Sequence, residues 1–255
     1  MMAMYSLAGV GMHYDGATVL EDVDLEFQAG EFVAIAGPNG AGKSTLLSIM
    51  AALRPGYTGS CRLLGREVQS WQRRAFARQV SVVPQSIHID FGFTAEQIVL
   101  MGRTPFADTL FESQDDAAEV RRAMELTGTT EFRDRDVRTL SGGERQRVVV
   151  AAALAQSPKV LLLDEPSAFL DIEHQIALYR LLRGLCDRGV LVVSVTHDLN
   201  LAARYSDRVV LLRRGRVRAD GGPDSVFTEA TIHDVFHVHA RVVTDGGRKW
   251  ILYGT

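Results

Sequence analysis

Apolar and polar positions along this chain follow several rhythms. Near residues 3–13 and 18–28 they suggest two β-like runs around the turn "YDGAT". "EFVAIA" (31–36) is a short apolar run that reads as a buried strand, and "VSVVP" (80–84) reads as another. "VLLLD" (160–164) and "VLVVSVT" (190–196) are continuous apolar runs, as expected of buried parallel strands, with a helix at 172–186 between them. "STLLSIMAAL" (44–53) is helical and is stopped by Arg54-Pro55-Gly56. "SCRLLG" (60–65) is a strand ended by glycine, and Ser70 caps a helix over "WQRRAFARQ" (71–79).

From about 86 to 140 the pattern turns helical and more polar. Thr94 and Gln97 have capping-box spacing for a helix to about Met101, and a second helix spans roughly 114–127 before Gly128. This stretch reads as a helical lobe inserted in an α/β core. A helix after "SGG" runs to about 156 and stops at Ser157-Pro158. "RVVLLRRGRVRAD" (208–220) is a hairpin turning at Gly215, and the last 35 residues form a small α+β tail. No repeat or low-complexity linker interrupts the pattern.

Composition narrows the function classes. With 255 residues and 46% hydrophobic content, the chain suits one globular unit of one or two lobes. A net charge of −3 and a pI of about 6.2 exclude nucleic-acid binding driven by electrostatics. The longest strongly apolar run, Val148 to Ala155, has eight residues, whereas a membrane span needs about 20. The first residues lack the basic region and apolar core of a secretory signal. Cys61 and Cys186 are isolated, with neither metal spacing nor a disulfide framework, which suits the cytoplasm. Of the 28 basic residues only Lys43, Lys159 and Lys249 are lysines, and Lys43 sits inside a glycine-rich loop.

That loop, "GPNGAGKS", fits G-x-x-x-x-G-K-[ST] through Gly37, Gly42, Lys43 and Ser44, between an expected strand and an expected helix. Glycines let backbone N–H groups wrap phosphates, and the helix start adds partial positive charge. Lys43 would reach the β- and γ-phosphates and Ser44 would ligate Mg²⁺. "VLLLDEP" ends a strand with two carboxylates: Asp164 can hold Mg²⁺ through water, and Glu165 can polarise an attacking water. "SVTHD" delivers His197 to the same kind of strand end, where it could contact a γ-phosphate. Gln85 follows "VSVVP" and could touch Mg²⁺ or the water when the lobe closes. Tyr14 could stack on adenine, with ordinary core packing as its competing role. "LSGGERQR" (140–147) is a second glycine-rich helix start, offering N–H groups, a hydroxyl and close backbone approach.

In this order Tyr14, the glycine loop, Gln85, "LSGGERQR", "LLLDEP", "AFLD" and His197 resemble the nucleotide-binding subunit of an ATP-binding cassette (ABC) transporter, over nearly the whole chain. The resemblance implies an α/β P-loop NTPase fold: an ABC-type ATPase core with an N-terminal antiparallel β subdomain and an inserted α-helical subdomain. It is one ATP-binding domain. Residues 1–85 and 158–220 would form the core with the β subdomain, 86–157 the helical subdomain with the signature motif, and 221–255 the tail. ATP and Mg²⁺ are the implied ligands. Tyr14, Gly37, Pro38, Asn39, Gly40, Ala41, Gly42, Lys43, Ser44 and Thr45 would bind nucleotide in one copy. Ser141, Gly142, Gly143 and Glu144 would complete the cage from a second copy in a head-to-tail dimer, with Asp171 closing "AFLD" nearby. Ala168 stands where many members carry serine. Ser44, Gln85 and Asp164 would hold Mg²⁺, Glu165 would activate water, His197 would stabilise the transition state, and Lys43 would assist.

"FTAEQIVLMGRTPF" (93–106) and "LDIEHQ" (170–175) resemble importers for iron-siderophores, haem and cobalamin, although Phe106 replaces the usual histidine. The implied partners are a second copy, integral membrane permease subunits and, indirectly, a substrate-binding protein, with no nucleic acid. The implied location is peripheral, on the cytoplasmic face of the inner membrane. Gly92 to Phe106 would form part of the groove for the permease, or else simply pack the lobe. The rival class is a soluble cassette ATPase such as an iron–sulfur assembly subunit, which shares size and motifs. Two further features stand apart: "HDVFHVH", with His233, His237 and His239 near metal spacing, and the basic hairpin "RRGRVR" (213–218), read as solvated.

Overall fold

The structure is a computed structural model that describes residues 3–14, 16–87, 89–107 and 114–254. The first elements in chain order are β1 (Tyr5–Tyr14), β2 (Ala17–Phe27), β3 (Phe32–Ala36), α1 (Lys43–Met50), β4 (Thr58–Leu63) and β5 (Arg66–Glu67). There follow α2 (Arg73–Ala77), β6 (Val80–Val83), α3 (Ala95–Met101), α4 (Gln114–Leu126), α5 (Gly142–Ala155), β7 (Val160–Asp164) and α6 (Ile172–Cys186). The last are β8 (Leu191–Val195), α7 (Leu199–Tyr205), β9 (Arg208–Arg213), β10 (Arg216–Gly221), α8 (Pro223–Val226), α9 (Glu229–Phe236), β11 (Ala240–Asp245) and β12 (Arg248–Tyr253). By its internal contacts the chain forms two compact units. One joins the chain up to Trp71 to the chain from Leu182 on, and the other is Gln72–Leu181.

In the first unit β2, β1, β4 and β5 form an antiparallel sheet in that order. Beside it β3 lies between β8 and β9, parallel to both, and β10 returns antiparallel on β9. Every residue of β3 and β8 is buried, the reason both runs are apolar without alternation. Ala34, Ala36, Val209 and Leu211 pack against α7, α8 and α9 through Leu199, Val226, Ile232 and Val235, so the tail is part of a core. The buried Tyr5 hydroxyl donates to the Met50 carbonyl, tying β1 to the end of α1.

Two sequence expectations here need correction. The helix after the glycine loop ends at Met50 rather than 53, because Ala52 adopts a left-handed φ of 56° and unwinds the chain before Arg54-Pro55. Ser70 caps no helix. Its hydroxyl donates to the Glu67 carbonyl at 2.7 Å inside a short 3₁₀ turn, and α2 begins at Arg73 behind Gln72.

In the second unit β6 and β7 pair in parallel. Thr94 and Gln97 form the expected capping box at the start of α3. α4 buries Val120, Ala123 and Met124 at helical spacing, whereas α5 is buried over most of its apolar second half. Arg103 Nε meets the buried carboxylate of Asp116 at 2.7 Å, Nη1 donates to Ala155 O at 2.9 Å, and the guanidinium lies 4.1 Å from the Phe106 ring centroid. Phe106 thus serves the lobe as a stacking surface for Arg103.

Candidate nucleotide site

The first unit presents one half of the expected constellation. β3 and β8 are parallel with Ile35 paired to Val195, so Gly37 and His197, each two residues further on, leave the sheet at the same edge. Backbone geometry explains the glycines. Gly37 has φ 153°, and a Cβ there would lie 2.1 Å from the Leu212 carbonyl oxygen. Gly42 has φ 99°, and a Cβ there would lie 2.7 Å from the Val19 carbonyl oxygen. The loop is braced from behind: Ala41 N–H donates to Pro38 O at 3.2 Å, and Gly215 N–H to Ala41 O at 3.1 Å.

Lys43 is only 6% exposed. Its ammonium donates to Gly37 O at 2.9 Å and Pro38 O at 3.0 Å, holding the side chain back along the loop. Gly42 supplies no side-chain cap to α1, and the first turn of α1 carries no acid. The helix start is therefore electropositive and shaped for an anion. Asn39, Gly40 and Ser44 are exposed on this loop, Pro38 and Thr45 are half-buried, and His197 is exposed. Tyr14 is half-buried, and its ring carries the Arg54 guanidinium at 5.2 Å.

The second unit repeats the device. β6 and β7 are parallel with Val83 paired to Leu163, and again the residues two further on, Gln85 and Glu165, emerge together. Gln85 Nε2 donates to Glu165 Oε2 at 2.9 Å. Glu165 holds a left-handed φ of 49°, a strained conformation for a non-glycine residue and one that recurs at functional sites. Asp164 ends β7 directly before it.

The same unit carries the second helix start. Ser141 caps α5 and exchanges hydrogen bonds with Glu144: Glu144 N–H donates to Ser141 Oγ at 3.2 Å, and Ser141 N–H donates to Glu144 Oε2 at 2.7 Å. The Ser141 backbone N–H, and then its hydroxyl, hold the Glu144 carboxyl below the usual carboxylate range. A Cβ on Gly143 would approach the Phe169 carbonyl oxygen to 3.1 Å, so glycine permits "AFLD" to lie against the helix start. Asp171 Oδ1 accepts from His174 N–H at 2.9 Å and lies 2.7 Å from His174 Nδ1. These contacts, the backbone N–H first, lower the Asp171 pKa.

Three residues near these groups escaped sequence reasoning. Arg54 covers Tyr14; His174 engages Asp171; and Gln175 Nε2 donates to Ser167 O and Leu170 O, each at 3.1 Å, pinning the "AFLD" backbone. His174 and Gln175 lie in "LDIEHQ", which marked the stretch without revealing its hydrogen bonds. Nothing in the sequence pairs Arg54 with Tyr14. The histidines of "HDVFHVH" do not gather as ligands. His237 ends α9 at φ 58° with Nε2 2.7 Å from Arg213 Nη2, and among the described residues no group of three or more His, Cys, Asp or Glu could hold a metal.

The residues fit the implied ligands. The start of α1 has no side-chain cap and no acid in its first turn, and the buried Lys43 ammonium stands beside it. Taken unit by unit, Ser44 in the first offers a hydroxyl oxygen, and Gln85 and Asp164 in the second offer an amide and a carboxylate oxygen, donors of the hard type that Mg²⁺ prefers.

The ABC transporter family model matches residues 20–168. Over 228 residues the chain is 46% identical to the hemin import ATP-binding protein of Streptomyces coelicolor, covering 89% of this chain and 81% of that protein. It is 45% identical over 240 residues to the cobalamin import ATP-binding protein of Halobacterium salinarum, covering 94% of this chain but only 60% of that longer protein. Among solved structures, a dimeric ATP-binding cassette in a post-hydrolysis state with ADP and phosphate superposes with a TM-score of 0.78 at 28% identity, covering 86% of this chain and 99% of that one. With a family model spanning more than half its length and relatives of this identity, the chain belongs to the ABC transporter family.

Proposed function

We propose that this chain binds and hydrolyses ATP to power a membrane importer for haem, cobalamin or an iron-siderophore. The observation that carries the ATPase reading is the pair of parallel strand ends. One delivers the glycine loop with His197, and the other delivers Gln85 hydrogen-bonded to Glu165. The cargo class rests on the hemin and cobalamin import subunits to which the chain is similar. These relatives also disfavour the soluble assembly ATPase.

In the proposed mechanism, the uncapped start of α1 and the Lys43 ammonium bind the phosphates, and Tyr14 receives the base. Ser44, Gln85 and Asp164 would hold Mg²⁺, which would neutralise phosphate charge when bound. Two copies pair head to tail, and Ser141, Gly142, Gly143 and Glu144 of each close over the nucleotide of the other. Asp171 lies at the same junction. Glu165 accepts a proton from the attacking water, and Gln85 holds that carboxylate in place until the helical subdomain closes. His197 donates to the transferring phosphoryl group. The domain boundaries expected from sequence belong to this proposal, as do permease docking along Gly92–Phe106, an indirect link to a substrate-binding protein, and a peripheral position on the cytoplasmic face of the inner membrane. Among the described residues no helix is long and apolar enough to cross a membrane.

The test is co-purification with a multi-span permease, with ATP hydrolysis stimulated by that permease in liposomes. In that complex Glu165→Gln should retain ATP binding and lower turnover by about 10²–10⁴-fold, the usual contribution of a positioned base. Normal turnover in the variant would remove Glu165 from the role, and copurification with soluble partners alone would end the importer reading.

A further inference from the structure

A cavity of about 190 Å³ lies within the second unit, bordering "AFLD" and His174. Val150 of α5, Leu170 of "AFLD" and Leu178 of α6 line it, and all three are buried. Arg147 and His174 supply polar groups, and exposed Ala177 stands at its mouth. The shape is that of a small-molecule site: apolar walls with a few converging polar groups.

The polar groups retain unused donors. Arg147 Nη1 donates to Gly128 O at 2.9 Å, and the guanidinium lies 5.2 Å from the Phe132 ring centroid, which fixes its direction. Its Nε is buried with no hydrogen-bond partner among the described residues. The guanidinium also carries Nη2, with no hydrogen bond among the described residues, so an acceptor arriving at it is favoured. His174 spends Nδ1 on Asp171, and no described hydrogen bond engages its Nε2. The carboxylates of Asp171 and Glu144 also feel Arg147, but each is already held by its own backbone N–H bond, from His174 and Ser141 respectively.

We infer that this cavity binds a small amphiphile, an unbranched monocarboxylate whose chain lies on Val150, Leu170 and Leu178 and whose head group meets Arg147 and His174. Binding needs only this unit. Its effect on hydrolysis rests on the proposed function: Arg147 lies in the second turn of α5 and His174 in the first turn of α6, so the occupant bridges the helix that starts at Ser141 and the stretch that holds Asp171. Occupancy would therefore bias how these two elements meet the partner copy's nucleotide.

Calorimetric titration of the full-length chain with hexanoate, octanoate, decanoate and 1-octanol, below their micelle concentrations, tests this. Octanoate should bind at one saturable site, and affinity should rise with chain length until the cavity is full. Ala177→Trp should close the mouth and weaken octanoate roughly tenfold or more by direct clash, leaving unliganded ATP hydrolysis unchanged. Arg147→Gln should weaken octanoate roughly tenfold through the lost charge-assisted bond, while 1-octanol binding stays as it was. Non-saturable binding, or undiminished binding to Ala177→Trp, overturns the site. Equal losses for octanoate and octanol in Arg147→Gln overturn the head-group assignment. None of the binding results depends on whether the chain hydrolyses ATP.

Discussion

Two glycine-rich helix starts in this chain look alike in sequence and are built in opposite ways. α1 begins at Gly42 in a left-handed conformation, with no side-chain cap and no acid in its first turn. α5 begins at Ser141 with a complete capping box, and Glu144 lies over its first turn. A helix start leaves N–H groups that something must satisfy. α1 leaves its orphan groups without a side-chain cap and places buried Lys43 beside them, whereas the capping box of α5 satisfies the Ser141 and Glu144 N–H groups within the single chain. In the proposed dimer, a nucleotide held by the partner copy would draw the Ser141 hydroxyl away from Glu144. On that proposal the first start is a site at once, and the second becomes one only in company.

This contrast can be broken in graded ways. Lys43→Ala strikes the open start and should have the largest effect on it. Losing hydrogen bonds from a charged group costs about 1.5–3 kcal/mol, so the Kd for ATP should rise roughly 10- to 100-fold in titration calorimetry. Ser141→Ala strikes the self-satisfied start. It should lower unfolding free energy by about 1 kcal/mol in urea titration, the usual worth of an N-cap, and leave ATP affinity of the isolated chain unchanged. An equal loss of ATP affinity in both variants would erase the distinction.

The smallest effect is that of Glu144→Gln, which keeps a capping-box residue but removes its charge. The folded-state pKa of Glu144 is depressed, so its ionised form contributes stability above the unfolded pKa and loses it as pH falls through the folded pKa. The thermal midpoint of the parent should therefore decline more steeply than that of Glu144→Gln from about pH 4.3 downward, since ordinary Glu titrates near that value. Parallel acid limbs would show that the carboxylate adds nothing to the cap.

Much of this was legible in the sequence, for local reasons. The capping box at Thr94 follows from three-residue spacing, and the buried strands from unbroken apolar runs. Ser141 and Glu144 have the same spacing, but the glycines between them drew the reading to an open helix start, and the box there is a finding of the structure. The glycine loop is legible because the conformations of Gly37 and Gly42 admit no other residue without collision. Ser70 was misread because a serine before a helical pattern can also serve a 3₁₀ turn, and the choice depends on where Glu67 lies. The Arg54–Tyr14 stack and the hydrogen bonds of Gln175 to the "AFLD" backbone are set by tertiary placement and leave no periodic trace. The cavity beside Arg147 is likewise invisible in sequence, since its walls come from separate helices.

The shared site is the central claim, and the oligomeric state under ATP tests it most directly. Sedimentation equilibrium of Glu165→Gln with saturating ATP and Mg²⁺ should give a dimer. The same variant carrying Ser141→Arg should remain monomeric while binding ATP with unchanged affinity. A double variant that still dimerises with ATP would contradict the claim that the Ser141 helix start completes a partner's nucleotide site.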